Sequence, residues 1–242
     1  MSAARPALLN ILITGASRGI GAATYDLLKS RGHNVAGHSS LGGGDLLAGE
    51  LTDPDAPRKL WDAALERLGG RIDALVNNAG IYEAVADSAS DADWHSAWDR
   101  TMRINLYASA DLCRLAIQHF RERGGEGRIV NVSSRAGSRG DSPAHWHYAA
   151  SKGAMLAMTK SIARGYAAEG ILAFAVSPGF TVSEMTDEYL QGRGGEKILA
   201  EIPLGRVATT TEIAETIRWL ATEAPASATG ANIDVNGASY VR

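Results

Sequence analysis

The sequence predicts a single α/β domain whose core is a doubly wound, parallel sheet of seven strands. Short apolar runs alternate with longer amphipathic segments along the chain, which is the pattern of strands joined by crossover helices. The strand candidates are almost entirely apolar, as strands covered on both faces are. The 242 residues contain no repeat, charge block or linker, so we expect one domain over residues 1–242.

The strand candidates are short and rich in Val, Ile, Leu and Ala. They are Leu8–Thr14, Asn34–Gly37, Leu46–Ala48, Ala74–Asn77, Arg128–Ser133, Leu172–Val176 and Ile233–Val235. Helical patterns are found at Ile20–Arg31, Arg58–Leu68, Tyr148–Ala168 and, as two end-to-end helices, Ala92–Arg123. The spacing Thr209-x-x-Glu212 predicts a capping box that begins a last helix, which reaches Ala221.

Two connections depart from this alternation. Ser39–Asp45 joins the second and third strands in fewer residues than a helical crossover needs, so the helix between these strands is predicted to be missing. Glu184–Arg206 is long, contains several glycines and follows the carboxyl end of the sixth strand. Ligands bind at that end of an open parallel sheet, so we interpret residues 184–206 as a mobile lid over a substrate.

The composition argues against several classes of function. A formal net charge of −3 and a pI near 6.1 provide no basic surface for nucleic acid, and no apolar run is long enough to span a bilayer. The apolar stretch Ala7–Thr14 leads directly into a glycine turn, so we interpret it as a strand rather than a signal segment. Cys113 is the single cysteine, which suits a reducing compartment. We expect a cytoplasmic protein with neither nucleic acid nor membrane as a partner.

A glycine-rich turn follows the first strand and opens a helix, with the sequence Thr14-Gly15-Ala16-Ser17-Arg18-Gly19-Ile20-Gly21. Glycines allow a tight turn and let the backbone approach a pyrophosphate, which the free N–H groups and the dipole of a helix N-terminus stabilise. Glycine triplets also occur in turns that serve packing alone. The position between the first strand and the first helix favours a dinucleotide site.

Further motifs follow in order along the chain. They are Asn77-Asn-Ala-Gly80, Gly127-Arg-Ile-Val-Asn-Val-Ser-Ser134, Tyr148-x-x-x-Lys152, Ser177-Pro-Gly179, Ile202-Pro-Leu-Gly-Arg206 and Val235-Asn-Gly237. With the Gly-x-x-x-Gly-x-Gly spacing of the turn, this set resembles the short-chain dehydrogenase/reductase family over essentially the whole chain. The resemblance implies a Rossmann-type fold and hydride transfer between a nicotinamide dinucleotide and a carbonyl or alcohol.

Tyr148 and Lys152 lie four residues apart and therefore on one helical face. The neighbouring ammonium favours the phenolate, which lowers the tyrosine pKa from its ordinary value of about 10. The resemblance implies that Tyr148 is the proton donor or acceptor and that Lys152 also holds the nicotinamide ribose. It further implies that Ser134 bonds the substrate oxygen and that Asn105 orders a water near the lysine. Taken one at a time, residues of these types are most often ordinary surface or turn residues. Their occurrence together, in this order after a dinucleotide-binding turn, favours a catalytic role.

The resemblance also assigns contacts to the cofactor. The predicted set is Gly15, Ser17, Arg18, Gly19, Ile20, Gly21, His38, Ser39, Ser40, Glu50, Leu51, Asn78, Ala79, Gly80, Tyr148, Lys152, Pro178, Gly179, Thr181 and Ser183. NAD-dependent enzymes of this class carry an acidic residue at the end of the second strand, where this chain has Ser39. Arg18 matches a basic residue that NADP-dependent members use. We therefore expect NADP(H) rather than NAD(H).

The substrate does not follow from the fold. We expect a small-molecule ketone or secondary alcohol, bound in a pocket lined by His145, Trp146 and His147. Two histidines without a third ligand nearby do not suggest a metal site. The similarity to 3-oxoacyl-carrier reductases is general, and the missing helix is also similar to pteridine reductases. A sensor or scaffold that binds cofactor without turnover is a third alternative, which the complete catalytic set disfavours.

The resemblance also implies a homotetramer, with a dimer as the second choice. Members of the family pair through the long helices, which here are Ala92–Arg123 and Tyr148–Ala168. The outer faces of these helices are predicted to carry Trp98, Leu112, Met155 and Met158, more apolar surface than a solvated face needs.

Overall fold

Seven parallel strands form one sheet at the centre of the protein, in a computed structural model that describes residues 8–181 and 195–241. The strands are β1 (Asn10–Ile13), β2 (Asn34–Ser39), β3 (Leu47–Ala48), β4 (Ala74–Asn77), β5 (Gly127–Val132), β6 (Ile171–Pro178) and β7 (Asn232–Val235). Their order across the sheet is β3-β2-β1-β4-β5-β6-β7. This is the predicted doubly wound, Rossmann-type arrangement, and its winding reverses between β1 and β4.

Helices cover both faces of the sheet. They are α1 (Gly19–Ser30), α2 (Ala56–Arg67), α3 (Asp91–Met102), α4 (Ala108–Glu122), α5 (Ala136–Arg139), α6 (Trp146–Tyr166), α7 (Gly195–Ala200) and α8 (Thr210–Thr222). On one face α1 and α8 pack on the central strands, with Leu28 and Ile213 fully buried. On the other face α2, α4 and α6 enclose a second core that includes Trp61 and Phe120. The strands are apolar because both of their faces are buried.

The connection between β2 and β3 contains no helix, as predicted. Residues 40–46 make a tight turn in which Gly42, Gly43 and Gly44 all have positive φ angles, of 69°, 103° and 56°. Side chains other than glycine rarely adopt this conformation, so the glycine run is what makes so short a crossover possible.

The predicted capping box of the last helix is present at Thr209. Its Oγ1 accepts a hydrogen bond from Glu212 N at 3.2 Å, and Thr209 N donates to the Glu212 carboxylate at 2.8 Å. The Arg206 guanidinium pairs with the same carboxylate and, as the largest contribution, lowers the pKa of Glu212 to about 2. Such a cap stabilises a helix by about 1 kcal/mol.

The long helical stretch before β5 differs from two ordinary helices placed end to end. Arg103–Tyr107, between α3 and α4, forms a π-helical turn. A π-helical turn widens the backbone by one residue and is frequent at functional sites. Here it carries Asn105, one of the predicted catalytic residues.

The predicted outer-face position is wrong for two of the four residues named for the long helices. Leu112 is 1 % exposed and Met155 is fully buried within the single chain. Both pack towards the sheet side of their helices, while Trp98 and Met158 are half-buried. The period of the apolar pattern identifies an apolar stripe, but it does not separate a stripe that faces the core from one that faces a second copy.

The predicted lid is described only in part, since residues 184–194 lie outside the described residues. Residues 195–206 form α7 and a turn in which Ile202, 3 % exposed, packs with Val207 and Phe180. The lid therefore stays a prediction. No helix among residues 8–181 and 195–241 combines the length and apolar character needed to cross a bilayer.

Candidate active site

The glycine turn lies at the crevice where the strand order reverses between β1 and β4. The Asn78 side-chain amide, just beyond β4, donates to Thr14 O and Gly15 O, both at 3.0 Å. The Thr14 hydroxyl accepts from the backbone N–H groups of Asn78 and Ala79, also at 3.0 Å. These bonds hold the two strand ends together at the point where an open α/β sheet binds its ligand.

The shape of this crevice fits a dinucleotide. A Cβ atom on Gly21 would lie 1.9 Å from Gly15 O, so the first turn of α1 packs directly against the glycine turn. A Cβ on Gly80 would meet Asn105 Oδ1 at 3.3 Å and Lys152 Nζ at 3.5 Å. The backbone at Gly80 thus leaves an open approach to two of the predicted catalytic side chains, as a bound nicotinamide ribose requires.

His38 ties the glycine turn to the strand edge. Its Nδ1 accepts from Gly15 N at 3.3 Å and its Nε2 donates to Gly49 O at 2.7 Å, so the ring is neutral with the proton on Nε2. Burial lowers the pKa of His38 and favours this neutral form. Both ring nitrogens therefore form hydrogen bonds within the protein. The role of His38 in this structure is to hold the glycine turn in position.

The neighbours of His38 differ in exposure. Ser39 is 6 % exposed, and its hydroxyl donates to Gly42 O at 3.0 Å within the short connection. Ser40 and Arg18 are exposed beside it, and Arg18 makes no ion pair within the described part of the chain. A free guanidinium at the mouth of the turn is available to an anionic group of a ligand.

Glu50 and Leu51 are two of the predicted cofactor contacts, and their side chains lie in different surroundings. The Glu50 carboxylate accepts from Thr52 N at 3.2 Å and is exposed. Leu51 is 4 % exposed and packs with Ala56 and Ile104. That Glu50 and Leu51 contact the cofactor stays a prediction.

Tyr148 and Ser134 face each other across the carboxyl end of β5. A hydrogen bond from the Ser134 hydroxyl favours the phenolate of Tyr148, but burial and the charge of Asp141 outweigh it and raise the Tyr148 pKa. Burial is the largest of these effects. Tyr148 therefore holds its proton at neutral pH, and the predicted lowering of its pKa by Lys152 is wrong for the protein without cofactor. Ser134 Oγ also accepts from Ala136 N at 3.1 Å, which orients the hydroxyl.

Lys152 is one helical turn beyond Tyr148 and is 4 % exposed. Its Nζ donates to Val132 O at 2.8 Å and lies 5.8 Å from the centre of the Tyr148 ring. Burial lowers the pKa of Lys152 to about 8. The group is thus mainly protonated at pH 7, and it is the positive charge placed near the phenol.

Asn105 joins three segments of the site. Its Oδ1 accepts from Ile81 N at 2.8 Å, and its Nδ2 donates to Ile81 O at 3.0 Å and to Ser151 Oγ at 3.2 Å. Ser151 Oγ in turn donates to Tyr148 O at 2.7 Å. The side-chain amide thereby ties the segment after β4 to the catalytic helix. That Asn105 orders a water stays a prediction.

The end of β6 closes the site on its far side. Gly179 N donates to Val235 O at 3.0 Å, and Pro178 O accepts from Arg135 N at 3.0 Å. Thr181 Oγ1 donates to Gly179 O at 3.2 Å. Ser183, the last predicted cofactor contact, lies outside the described residues.

The predicted substrate residues separate into two groups. The His145 ring stacks on Tyr82 at 4.0 Å between ring centres and 3° between planes, and Tyr82 meets Tyr148 edge-on at 4.7 Å. Trp146 and His147 contact the α3 residues Trp94 and Trp98 instead, at 5.4 and 5.9 Å. His145 is therefore beside the catalytic tyrosine, while its two neighbours join α6 to α3.

Sequence reasoning missed Tyr82 and Arg135. Tyr82 follows the Asn77–Gly80 motif by two residues, and an aromatic residue at this short distance from the motif was the available signal in the sequence. In the structure Tyr82 is half-exposed. Arg135 follows Ser134 and is only 6 % exposed, and nothing in the sequence distinguishes a buried arginine from a solvated one.

The crevice, the glycine turn and the Ser134, Tyr148 and Lys152 set define a Rossmann-fold oxidoreductase. A family model described as enoyl-(acyl carrier protein) reductase matches residues 15–238. With this match, and with the relatives described next, the chain belongs to the short-chain dehydrogenase/reductase family.

Several relatives are similar over almost their full length. The 3-oxoacyl-[acyl-carrier-protein] reductase of Vibrio cholerae is 34% identical over 242 residues, which cover 95% of this chain and 96% of the relative. Nodulation protein G of Rhizobium sp. (strain N33) is 37% identical over 239 residues, 93% and 94% of the two chains. The Staphylococcus aureus 3-oxoacyl-[acyl-carrier-protein] reductase is 35% identical over 247 residues, 95% and 97%.

Proposed function

We propose that this protein catalyses the reversible reduction of a ketone to a secondary alcohol, with NADP(H) as hydride carrier and Tyr148 as general acid or base. The observation that carries the proposal is the contact between Tyr148, Ser134 and Lys152 at the carboxyl end of β5, beside a turn shaped for a dinucleotide. Bound NADPH supplies a hydride, and the reaction leaves negative charge on the former carbonyl oxygen.

The protein's own residues act on that oxygen. The Ser134 hydroxyl donates a hydrogen bond to it, and the Tyr148 phenol delivers the proton. The raised pKa of Tyr148 keeps this proton in place until the oxyanion forms. The protonated Lys152, whose pKa is about 8, then stabilises the phenolate that remains. In the oxidative direction the same groups act in reverse.

NADP(H) is proposed as the cofactor because the end of β2 carries no carboxylate. Ser39 takes the position of the acidic residue that selects NAD, and the exposed Arg18 is free to pair with a 2′-phosphate. Gly15, Gly19 and Gly21 would hold the pyrophosphate, and Lys152 with Gly80 would hold the nicotinamide ribose.

The substrate is proposed to be a small carbonyl compound. Two of the relatives above are named 3-oxoacyl-[acyl-carrier-protein] reductases, which supports an aliphatic ketone. The absent helix between β2 and β3 favours a pteridine-type reductase as a second candidate. We propose a cytoplasmic homotetramer as the working form.

The test is a panel of ketones and pterins with NADPH oxidation as the readout, applied to the wild type and to Tyr148→Phe. The substitution removes only the hydroxyl, so NADPH binding should persist while kcat falls by at least about 10²-fold, the scale of a lost general acid. Tyr166→Phe, a tyrosine at the far end of α6, is the matched control and should keep the wild-type rate.

Two outcomes would refute the proposal. A Tyr148→Phe variant with near-normal kcat would show that another group supplies the proton. A wild type that binds NADPH but turns over nothing in the panel would favour the sensor or scaffold alternative.

A further inference from the structure

Arg135 is a buried cation at the substrate side of the site. It follows Ser134, directly precedes the short helix α5 as its N-cap residue and is 6 % exposed. Its guanidinium lies over the Phe180 ring, 4.5 Å from the ring centre. Phe180 directly follows Pro178-Gly179 at the end of β6. The guanidinium of Arg135 is therefore next to the carboxyl ends of β5 and β6.

The guanidinium has donors that the protein does not use. Its Nη1 is buried and has no hydrogen-bond partner, and no ion pair of Arg135 is found in the described part of the chain. Burial without a partner lowers the pKa of Arg135. Buried charges in proteins are ordinarily paired, and the described residues supply no such partner for Arg135.

The nearby acidic groups are already engaged. Glu201 pairs with Arg139 at 3.6 Å. Asp141 Oδ1 accepts from Ser142 N at 2.7 Å and from the Tyr82 hydroxyl at 3.4 Å. The charged and titratable groups that act on Arg135 are these two acids, Arg139 and Tyr82, and none of them is bonded to its guanidinium.

The position of the guanidinium over the Phe180 ring bears on the kind of partner that fits. A guanidinium that presents its face to an aromatic ring keeps its N–H donors in the plane, directed past the ring edge. A carboxylate accepts two such parallel N–H bonds in one plane. The neighbouring Tyr82 meets Tyr148 edge-on and interacts electrostatically with Arg135, so Tyr148 and Arg135 both lie near Tyr82.

We propose that Arg135 is a specificity-determining residue that binds a carboxylate of the substrate, so that the preferred substrates are oxo acids or hydroxy acids. This inference rests on the proposed ketone reduction and narrows its substrate class. Ser134 and Tyr148 hold the carbonyl oxygen, Arg135 holds the acid group, and the spacing between the two selects the chain length.

The experiment compares oxo acids of increasing ketone-to-carboxylate separation with their primary amides, which have the same shape without the charge. For the best acid, wild-type kcat/KM should exceed that of its amide by at least about tenfold, the value of a charged hydrogen bond. Arg135→Gln should lower this acid-to-amide ratio by a similar factor, and Arg135→Lys should give an intermediate ratio. Arg164→Gln, which changes an exposed arginine near the far end of α6, should leave the ratio unchanged.

A second measurement does not depend on turnover. Unreactive alkanoates should raise the melting temperature of the NADPH-bound wild type, and this rise should be absent in Arg135→Gln and present in Arg164→Gln. If Arg135→Gln does not fold, the wild-type ratio and the Arg135→Lys variant decide.

The results separate the two proposals. Reduction of neutral ketones without preference for acids, or a ratio unaffected by Arg135→Gln, overturns the inference and leaves the ketone reductase standing. Carboxylate binding that depends on Arg135, without turnover of any ketone, supports the anion site and contradicts the reductase.

Discussion

Lys152 is a buried lysine whose surroundings favour the neutral form of its amine over the charged form. It is 4 % exposed, its Nζ donates to Val132 O at 2.8 Å, and no carboxylate of residues 8–181 or 195–241 pairs with it. Folding therefore lowers its pKa to about 8, whereas the unfolded chain has the ordinary lysine value. Between these two values the unfolded state binds more protons at this group than the folded state does, so the free energy of unfolding rises with pH.

We predict that this rise can be measured in the cofactor-free protein. From pH 8 to pH 10 the wild type should gain on the order of 2 kcal/mol relative to Lys152→Met. The raised pKa of Tyr148 acts in the opposite direction only above pH 10, where the folded state retains the additional proton. Denaturant unfolding at several pH values is the measurement, with the exposed Lys160→Met as control. Parallel stability curves for wild type and Lys152→Met would contradict it.

At the scale of residues, sequence reasoning located groups whose spacing is local. Tyr148 and Lys152 are one helical turn apart, and the structure brings them together on α6. Other features depend on contacts between segments that are distant in the sequence. Examples are the hydrogen bonds of both His38 ring nitrogens and the unpartnered Nη1 of Arg135. No local pattern encodes such contacts, so they were not predictable.

The short connection between β2 and β3 is the element on which the proposed cofactor preference rests. Its three glycines bring the chain back to β3 directly, and Ser39 donates into the turn at Gly42 O. No carboxylate is held at the end of β2, so a 2′-phosphate meets no repulsion there.

We predict that NADPH binds at least about tenfold more tightly than NADH, which is about 1.4 kcal/mol. Ser39→Asp should move the preference towards NADH because its charge repels the 2′-phosphate. Ser39→Asn has the same size without the charge and should not reverse the preference. Fluorescence titration gives the dissociation constants. Equal or reversed affinities in the wild type would refute the prediction.

Among the elements, those with strong local signals were predicted well. The capping box of α8, the missing crossover helix and the all-apolar strands are present as expected. The π-helical turn Arg103–Tyr107 was not, because one extra residue in a helix barely changes the apolar period. β6 extends to Pro178, beyond its predicted end, because Ser177 and Pro178 pair with Asp234 and Val235 of β7.

For the whole molecule, two exposed aromatic residues bear on assembly. Trp146, at the start of α6, is 51% exposed, and Tyr107, between α3 and α4, is 49% exposed. Both belong to the helices through which members of this family pair. We therefore take Trp146 and Tyr107 as the candidate interface side chains.

We predict a homotetramer of the 25.5 kDa chain, with a dimer as the smaller alternative. Light scattering at micromolar concentration measures the mass. Tyr107→Glu should reduce the mass by placing a charge in the interface. Leu41→Glu, at a site 91% exposed in the β2–β3 connection, should leave it unchanged. A monomeric wild type would contradict both assemblies.

The attachment of α6 to β5 has a consequence for how such a protein can diverge. Lys152 Nζ bonds Val132 O, Ser133 Oγ bonds Lys152 O at 2.9 Å, and a Cβ on Gly137 would lie 2.7 Å from the Lys152 carbonyl carbon. The helix is thus fastened to the strand directly and not through residues 138–145. Substitutions in that segment can therefore alter which molecules are accepted while the distance between Ser134 and Tyr148 is preserved, so new substrate ranges can evolve without rebuilding the chemistry.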